Sequence, residues 1–282
     1  MRNWPQIRRI LRIAGTLIGL AIFGYQLYTS IRALTAQKQQ FQLVWVWIIL
    51  AFVLFVLVNF NQMVKLWFLY KEALPRIKLV SVIKGYSVTI LSKYVPGHII
   101  GYLSRADWMQ VNAETPTLYS WFVTVFDILV TLMSGIMVLM LNWAFQDGRY
   151  LALALLALLL PWLVWLLMRL AARLARKFLK EERQRVVEAF AMPFPRWALI
   201  SANSIFQWLL LGIGLRLVSA GFSYPTALPF WSALWEHVYA FCLAWLGGFL
   251  AVLIPNGLGV RETVLNALLE SQVGFAASAA VV

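Results

Sequence analysis

The sequence predicts an all-α polytopic membrane protein, and three observations lead there. Of its residues 62% are hydrophobic and 12% charged, against roughly 45–50% and about 25% in soluble domains. The mean hydropathy is +0.78. The apolar runs are continuous over about 20 residues, the length of a membrane helix, where a barrel strand would alternate over about 10. No polar stretch is long enough for a soluble domain, so 1–282 reads as one integral membrane domain. The expected architecture is about six full spans plus two broken or re-entrant helix hairpins, related as an inverted repeat.

Charge sets the orientation. The 24 Lys and Arg against 11 Asp and Glu give +13. No aromatic-basic motif of a nucleic-acid binder accompanies the excess, so nucleic acid is not an expected partner. The basic residues fit cytoplasmic loops facing an anionic leaflet. Cys242 stands alone in an apolar run and forms no internal disulfide. The first apolar run is long for a signal peptide and lacks an Ala-x-Ala site, so it reads as a retained helix.

Taken in order, Arg2, Arg8, Arg9 and Arg12 precede a first span over Ile13–Leu34 and put the N-terminus in the cytoplasm. That span carries Gly15-x-x-x-Gly19, a common packing spacing of low specificity. A polar loop at Gln37–Gln40 follows outside. The second span, Leu43–Leu69, opens with Trp45 and Trp47 as an interfacial belt and returns to Lys71, Arg76 and Lys78 inside. Residues 79–117 break the pattern. Leu79–Ser92 makes only about 21 Å of helix, short of the roughly 30 Å hydrocarbon core. Pro96-Gly97 interrupts it, and Ile99–Met109 leads to Asp107, Asn112 and Glu114. Either a re-entrant hairpin open to the cytoplasm or one kinked span fits; the hairpin keeps the later helices in register with the charges.

Leu118–Leu141 is read as the next span, with Asp127 in its middle and Asn142–Arg149 as an external loop. Tyr150–Leu170 returns, kinked at Pro161. The basic loop 169–196 follows in the cytoplasm, with Arg169, Arg173, Arg176, Lys177, Lys180, Arg183, Arg185 and Arg196 against Glu181, Glu182 and Glu188. Leu170, Leu174 and Phe178 alternate with its first basic residues at helical spacing, as in an interfacial helix or a solvated topology anchor. Trp197–Val218 crosses outward. Pro229–Leu253 is long enough to span, but Gly247-Gly248 and Pro255-Asn256-Gly257 are read as interrupting its second half. Leu258–Leu269 is short, and 271–282 is apolar and rich in small residues, which predicts one more membrane helix left incomplete.

The half-repeats are placed at about 43–141, broken at 95–98, and about 197–282, broken at 254–259. Each break has Pro then Gly, with an Arg in the turns that follow, Arg105 in one and Arg261 in the other. Non-helical backbone at membrane depth must be buried in protein or line a polar cavity. The helix starts at 97–100 and 257–260 present unpaired N–H groups and partial positive charge, suited to an anion. Lys93, Arg105 and Arg261 add full charges. The candidate substrate-binding set is therefore Lys93, Tyr94, Pro96, Gly97, His98, Arg105, Pro255, Gly257, Gly259, Arg261 and Glu262. The bland alternative is a pair of turns with snorkelling arginines. Asp127 and Glu236 are intramembrane carboxylates, fit either for pairing with Lys93, Arg105 or Arg261 or for proton coupling, and His237 titrates near neutrality. No third residue completes a metal site with Glu236 and His237. No phosphate-binding glycine loop or nucleophile elbow is present, and neither a catalytic residue nor a cofactor is expected.

The Lys-Tyr-Val-Pro-Gly run with downstream Arg105, and Pro-x-Gly-x-Gly-x-Arg-Glu over 255–262, resemble the flippase-like membrane domain of lysylphosphatidylglycerol synthetases and of stand-alone inner-membrane relatives. The likeness covers nearly the whole chain, and the second motif is the more specific. The chain departs from it at His98, where the family is often basic, and at Asn256. The resemblance implies movement of a lipid between leaflets of the inner, or plasma, membrane. The synthetases' soluble aminoacyl-transferring domain is missing, so their enzyme activity is not implied. The expected substrate is an anionic or glycosylated lipid, polyprenyl-phosphate lipids among them. The rival readings are a membrane-embedded transferase and a non-transporting partner that recruits a cytoplasmic enzyme through 169–196. Lipid head groups, such an enzyme and a second copy of the chain are the expected partners.

Overall fold

In the computed structural model all regular structure among the described residues is helical, with no strand. The described residues are Ala21, Gly24, Tyr25, Tyr28, Arg32, 43–90, 98–147, 151–178, 181–221, 230–251, 257 and 259–273. They form α1 (Trp45–Ala73), α2 (Leu79–Thr89), α3 (His98–Ala113), α4 (Thr117–Asp147) and α5 (Leu151–Phe178). Then come α6 (Glu181–Phe190), α7 (Phe194–Gly221), α8 (Phe230–Leu250) and α9 (Val260–Val273). Five helices are long and apolar enough to cross a membrane, over Trp45–Glu72, Thr117–Ala144, Leu151–Leu174, Phe194–Gly221 and Trp231–Leu250. The expected first span falls mostly outside the described residues, as do 274–282.

The chain divides into two compact units. One holds residues 1–58, 91–101 and 208–282, the other 59–90 and 102–207. In the second unit α4 is the central helix. Its Val123, Phe126, Val130 and Met133 meet Leu66 and Leu69 of α1, Val186 and Phe190 of α6, and Trp197 of α7. The α5 window that could cross a membrane is almost wholly exposed, and its leucines (Leu155, Leu158, Leu159, Leu163, Leu167) form the outer face that hydrocarbon would cover.

α2 and α3 pack against each other. A β-carbon at Gly85 of α2 would lie 2.8 Å from Met109 Sδ and 2.9 Å from the Trp108 ring of α3. On one continuous helix, residues so far apart in sequence would be separated by about 35 Å. α2 and α3 are therefore separate helices lying side by side, with 91–97 outside the described residues. In the other unit α8 and α9 also lie side by side. Gly248 faces Arg261, Gly247 faces Val264, and Ala240 and Leu269 share a small core with Leu215. Glycine at 85 and at 248 lets the two helices of each pair touch.

Four boundaries differ from the sequence reading. α4 continues through the expected 142–149 loop to Asp147, and α5 runs on through Arg169 to Phe178. Both exceed the hydrocarbon thickness, because a helix does not stop where its apolar run stops. The 169–196 segment is not a loop: α6 occupies Glu181–Phe190 and docks through Val186 and Phe190. Finally, α8 passes unbroken through Gly247-Gly248 to Leu250. Gly248 serves a close packing contact with Arg261 instead of a break. Pro161 lies inside α5, as the sequence reading placed it within this span.

Candidate functional site

The second unit buries a charged centre. On α1, Asn59, Gln62 and Lys65 follow one another three residues apart, which places them on one helix face. Lys65 is 2% exposed and Asp127 of α4 is 2% exposed. Lys65 Nζ lies 3.0 Å from Asp127 Oδ1, and Arg105 Nη2 of α3 lies 3.5 Å from Oδ2. Gln62 Nε2 donates to both carboxylate oxygens, at 3.1 and 3.0 Å. Lys65 also donates to Thr131 Oγ1 at 3.3 Å, and that hydroxyl donates to the Asp127 carbonyl oxygen at 2.8 Å.

Two cations converge on one carboxylate in a region that water does not reach. Such groups are expensive at membrane depth and persist only when paired. Asp127 acts as the internal counter-ion for Lys65 and Arg105, so the three side chains together carry one positive charge in excess. Thr124 Oγ1, one turn before Asp127, and Asn61 Nδ2, beside Gln62, are buried without a hydrogen bond.

In the first unit Gly257, Gly259, Arg261 and Glu262 of the Pro-x-Gly-x-Gly-x-Arg-Glu motif lie at the start of α9. Gly257 has φ +66°, and a β-carbon there would sit 2.4 Å from Gly248 Cα. Gly259 has φ 86°. Both need the left-handed region that only glycine enters without strain. Glu262, three residues into the helix, accepts the Gly259 N–H at 2.6 Å, one half of a capping box. Thr263 donates to the Gly259 carbonyl at 2.6 Å. Arg261 lies along Gly248 and holds its guanidinium 5.7 Å from the Trp245 ring centroid. One of the backbone amides counted on for an anion is thus already satisfied by Glu262.

Among the other sequence candidates, His237 is fully buried. Its Nδ1 lies 2.6 Å from the Ala233 carbonyl and its Nε2 2.9 Å from Ser219 Oγ of α7. A carbonyl only accepts, so Nδ1 carries a proton. Glu236 is half-buried on α8. Lys93, Tyr94, Pro96, Gly97 and Pro255 lie outside the described residues, as does the His98 side chain. The structure brings Arg105 to Asp127, and it adds Lys65, Gln62 and Thr131, which sequence reasoning passed over. The signal was there: Lys65 is the first charge after Leu43, two turns before the basic end of the span.

A comparison with protein-family models finds none that matches, and a comparison with curated proteins finds no matching relative.

Proposed function

We propose that this protein is a membrane transporter of the flippase type, moving an anionic or glycosylated lipid from one leaflet to the other. The observation that carries this reading is the buried Lys65–Asp127–Arg105 centre. A protein gains little stability from burying three charges where apolar side chains would pack as well, and intramembrane ionisable groups most often mark a substrate or ion path. The two helix hairpins support the same reading. Broken helices are the usual means of placing a site inside a transporter, and the start of α3 (98–101) belongs to the same compact unit as α8 and α9. In this mechanism Asp127 occupies the two cations at rest, and a phosphate or other anionic head group competes for them as the lipid passes.

The protein resides in the inner, or plasma, membrane with its N-terminus in the cytoplasm, and it leaves its lipid chemically unchanged. Reconstitution into liposomes tests this directly. Lipids with a quenchable label on an anionic head group should lose asymmetry faster with wild-type protein than with Asp127→Asn or Arg105→Gln. Inactivity of the wild type across a panel of anionic and polyprenyl-phosphate lipids would sink the proposal. Appearance of a chemically altered lipid would replace it with a transferase.

A further inference from the structure

We infer that the inner end of α5 holds a resident anionic phospholipid, at a site built from Arg169 and Arg173 and separate from the buried charge centre. The placement follows from helix geometry. From Leu151 to Arg169 is about 27 Å of helix, so a vertical α5 puts Arg169 at the edge of the roughly 30 Å hydrocarbon core. Trp165, one turn deeper, lies at the level where aromatic belts sit.

The neighbourhood is preorganised. Trp165 Nε1 donates to the Met192 carbonyl at 3.0 Å, and its ring meets Phe194 edge-on with centroids 5.4 Å apart. The indole is therefore fixed from two sides. Arg169 lies over it, 5.2 Å from the ring centroid, which holds the guanidinium in one plane while its Nε is buried and makes no hydrogen bond. Arg173, one turn further on, is exposed on the same helix face. Two guanidiniums at this spacing can share one phosphate, a pairing arginine makes in bidentate geometry.

Charge complementarity selects the occupant. Three acids among the described side chains are engaged elsewhere: Glu188 with Arg176 at 2.7 Å, Glu181 with Arg185, and Glu72 with Arg196 at 2.9 Å. None of them pairs with Arg169 or Arg173. Beside these two, Leu166, Leu170 and Leu174 are exposed on the same helix and offer an apolar track for an acyl chain. A phosphate with an attached acyl tail fits both halves of the surface. A soluble anion uses only the first half.

The test is lipid retention, which does not depend on transport. Full-length protein is equilibrated in nanodiscs of phosphatidylcholine with a minority of phosphatidylglycerol, released into detergent and examined by native mass spectrometry. The wild type should retain phosphatidylglycerol above its share of the bilayer. The double variant Arg169→Gln/Arg173→Gln should lose roughly thirtyfold in affinity, the sum expected for two surface cations. The charge-matched control Arg76→Gln/Arg183→Gln, at two exposed arginines elsewhere, should retain it. Equal loss in the control would show a diffuse charge effect and overturn the site, as would unchanged retention in the Arg169/Arg173 variant. If inorganic phosphate displaces the lipid from wild type at equal concentration, the acyl track is wrong. Trp165→Leu keeps both charges and should weaken retention without abolishing it; no change there would also count against the clamp.

Discussion

Removing the Asp127 charge should destabilise the protein more than removing the Lys65 charge, and the order of the two is the informative quantity. Asp127→Asn keeps the size of the side chain but leaves two buried cations, Lys65 and Arg105, without the carboxylate they share at 3.0 and 3.5 Å. Breaking a buried ion pair from one side costs about 3–5 kcal/mol, because the remaining charge stays desolvated. Lys65→Met leaves Arg105 and Asp127, one charge of each sign, and Gln62 still donates to both carboxylate oxygens. It loses the hydrogen bonds to Asp127 and Thr131, at about 1 kcal/mol each, and regains part of that through an apolar side chain. For a chain of this size a 3–5 kcal/mol loss lowers the melting temperature by roughly 10 °C. The assay is thermal unfolding of purified protein in one detergent, with both single variants and the double. The double Lys65→Met/Asp127→Asn should be more stable than the sum of the singles implies, since it retains one buried cation where Asp127→Asn retains two. Equal melting temperatures for the singles, or a more stable Asp127→Asn, would refute the charge count on which the site rests.

The adjacent glycines of α8 should behave differently. Gly247→Ala has 3.8 Å to its nearest neighbour and should be neutral or stabilising by up to about 1 kcal/mol, whereas Gly248→Ala would meet Arg261 Cγ at 2.5 Å and should cost about 1–3 kcal/mol. Gly257→Ala combines positive φ with a 2.4 Å approach to the Gly248 backbone, so it should lose at least about 2 kcal/mol and expose the 251–259 turn to protease. Glu114 ends α3 with φ 51° on an exposed position; Glu114→Gly should raise stability by about 1 kcal/mol in the same thermal assay. Glu262→Ala removes the cap on Gly259 and should lower it by about 1 kcal/mol.

Hydropathy made the helices legible because burial in hydrocarbon writes itself along the chain. It could not give their ends: α4 and α5 outrun their apolar stretches, since backbone hydrogen bonding continues into the polar layer as long as no residue breaks it. The Gly247-Gly248 pair looked like a break because glycine is a weak helix former in isolation. What the sequence does not display is the partner, Arg261 and the 257 backbone, that needs the missing side chain. Asp127 and Arg105 stood out as intramembrane charges, yet their pairing joins α3 to α4 and is a tertiary fact. Lys65 was overlooked because it sits only six residues from Lys71 and merges with the basic end of its span. A lysine two turns inside an apolar helix is costly at any membrane depth, and that cost was the available clue.

The geometry also separates two kinds of charge that the sequence displays alike. At 255–262 the charged pair is tied to local structure: Glu262 caps the helix it belongs to, and Arg261 lies across Gly248 toward Trp245. The Gly-x-Gly-x-Arg-Glu pattern therefore has a folding reason that holds whatever the protein does. At 62–65, 105 and 127 the charges instead meet between helices. Lys65 and Arg105 both pair with Asp127, across three helices, in a place where apolar side chains would pack at lower cost. A function that requires charge inside the bilayer is the simplest physical account of that arrangement. It follows that substitutions at 257–262 should track hairpin stability, whereas a charge-preserving exchange such as Lys65→Arg should spare stability and alter lipid movement. If Lys65→Arg moves lipid at the wild-type rate while Glu262→Gln, with the fold intact, abolishes movement, the assignment of roles is reversed.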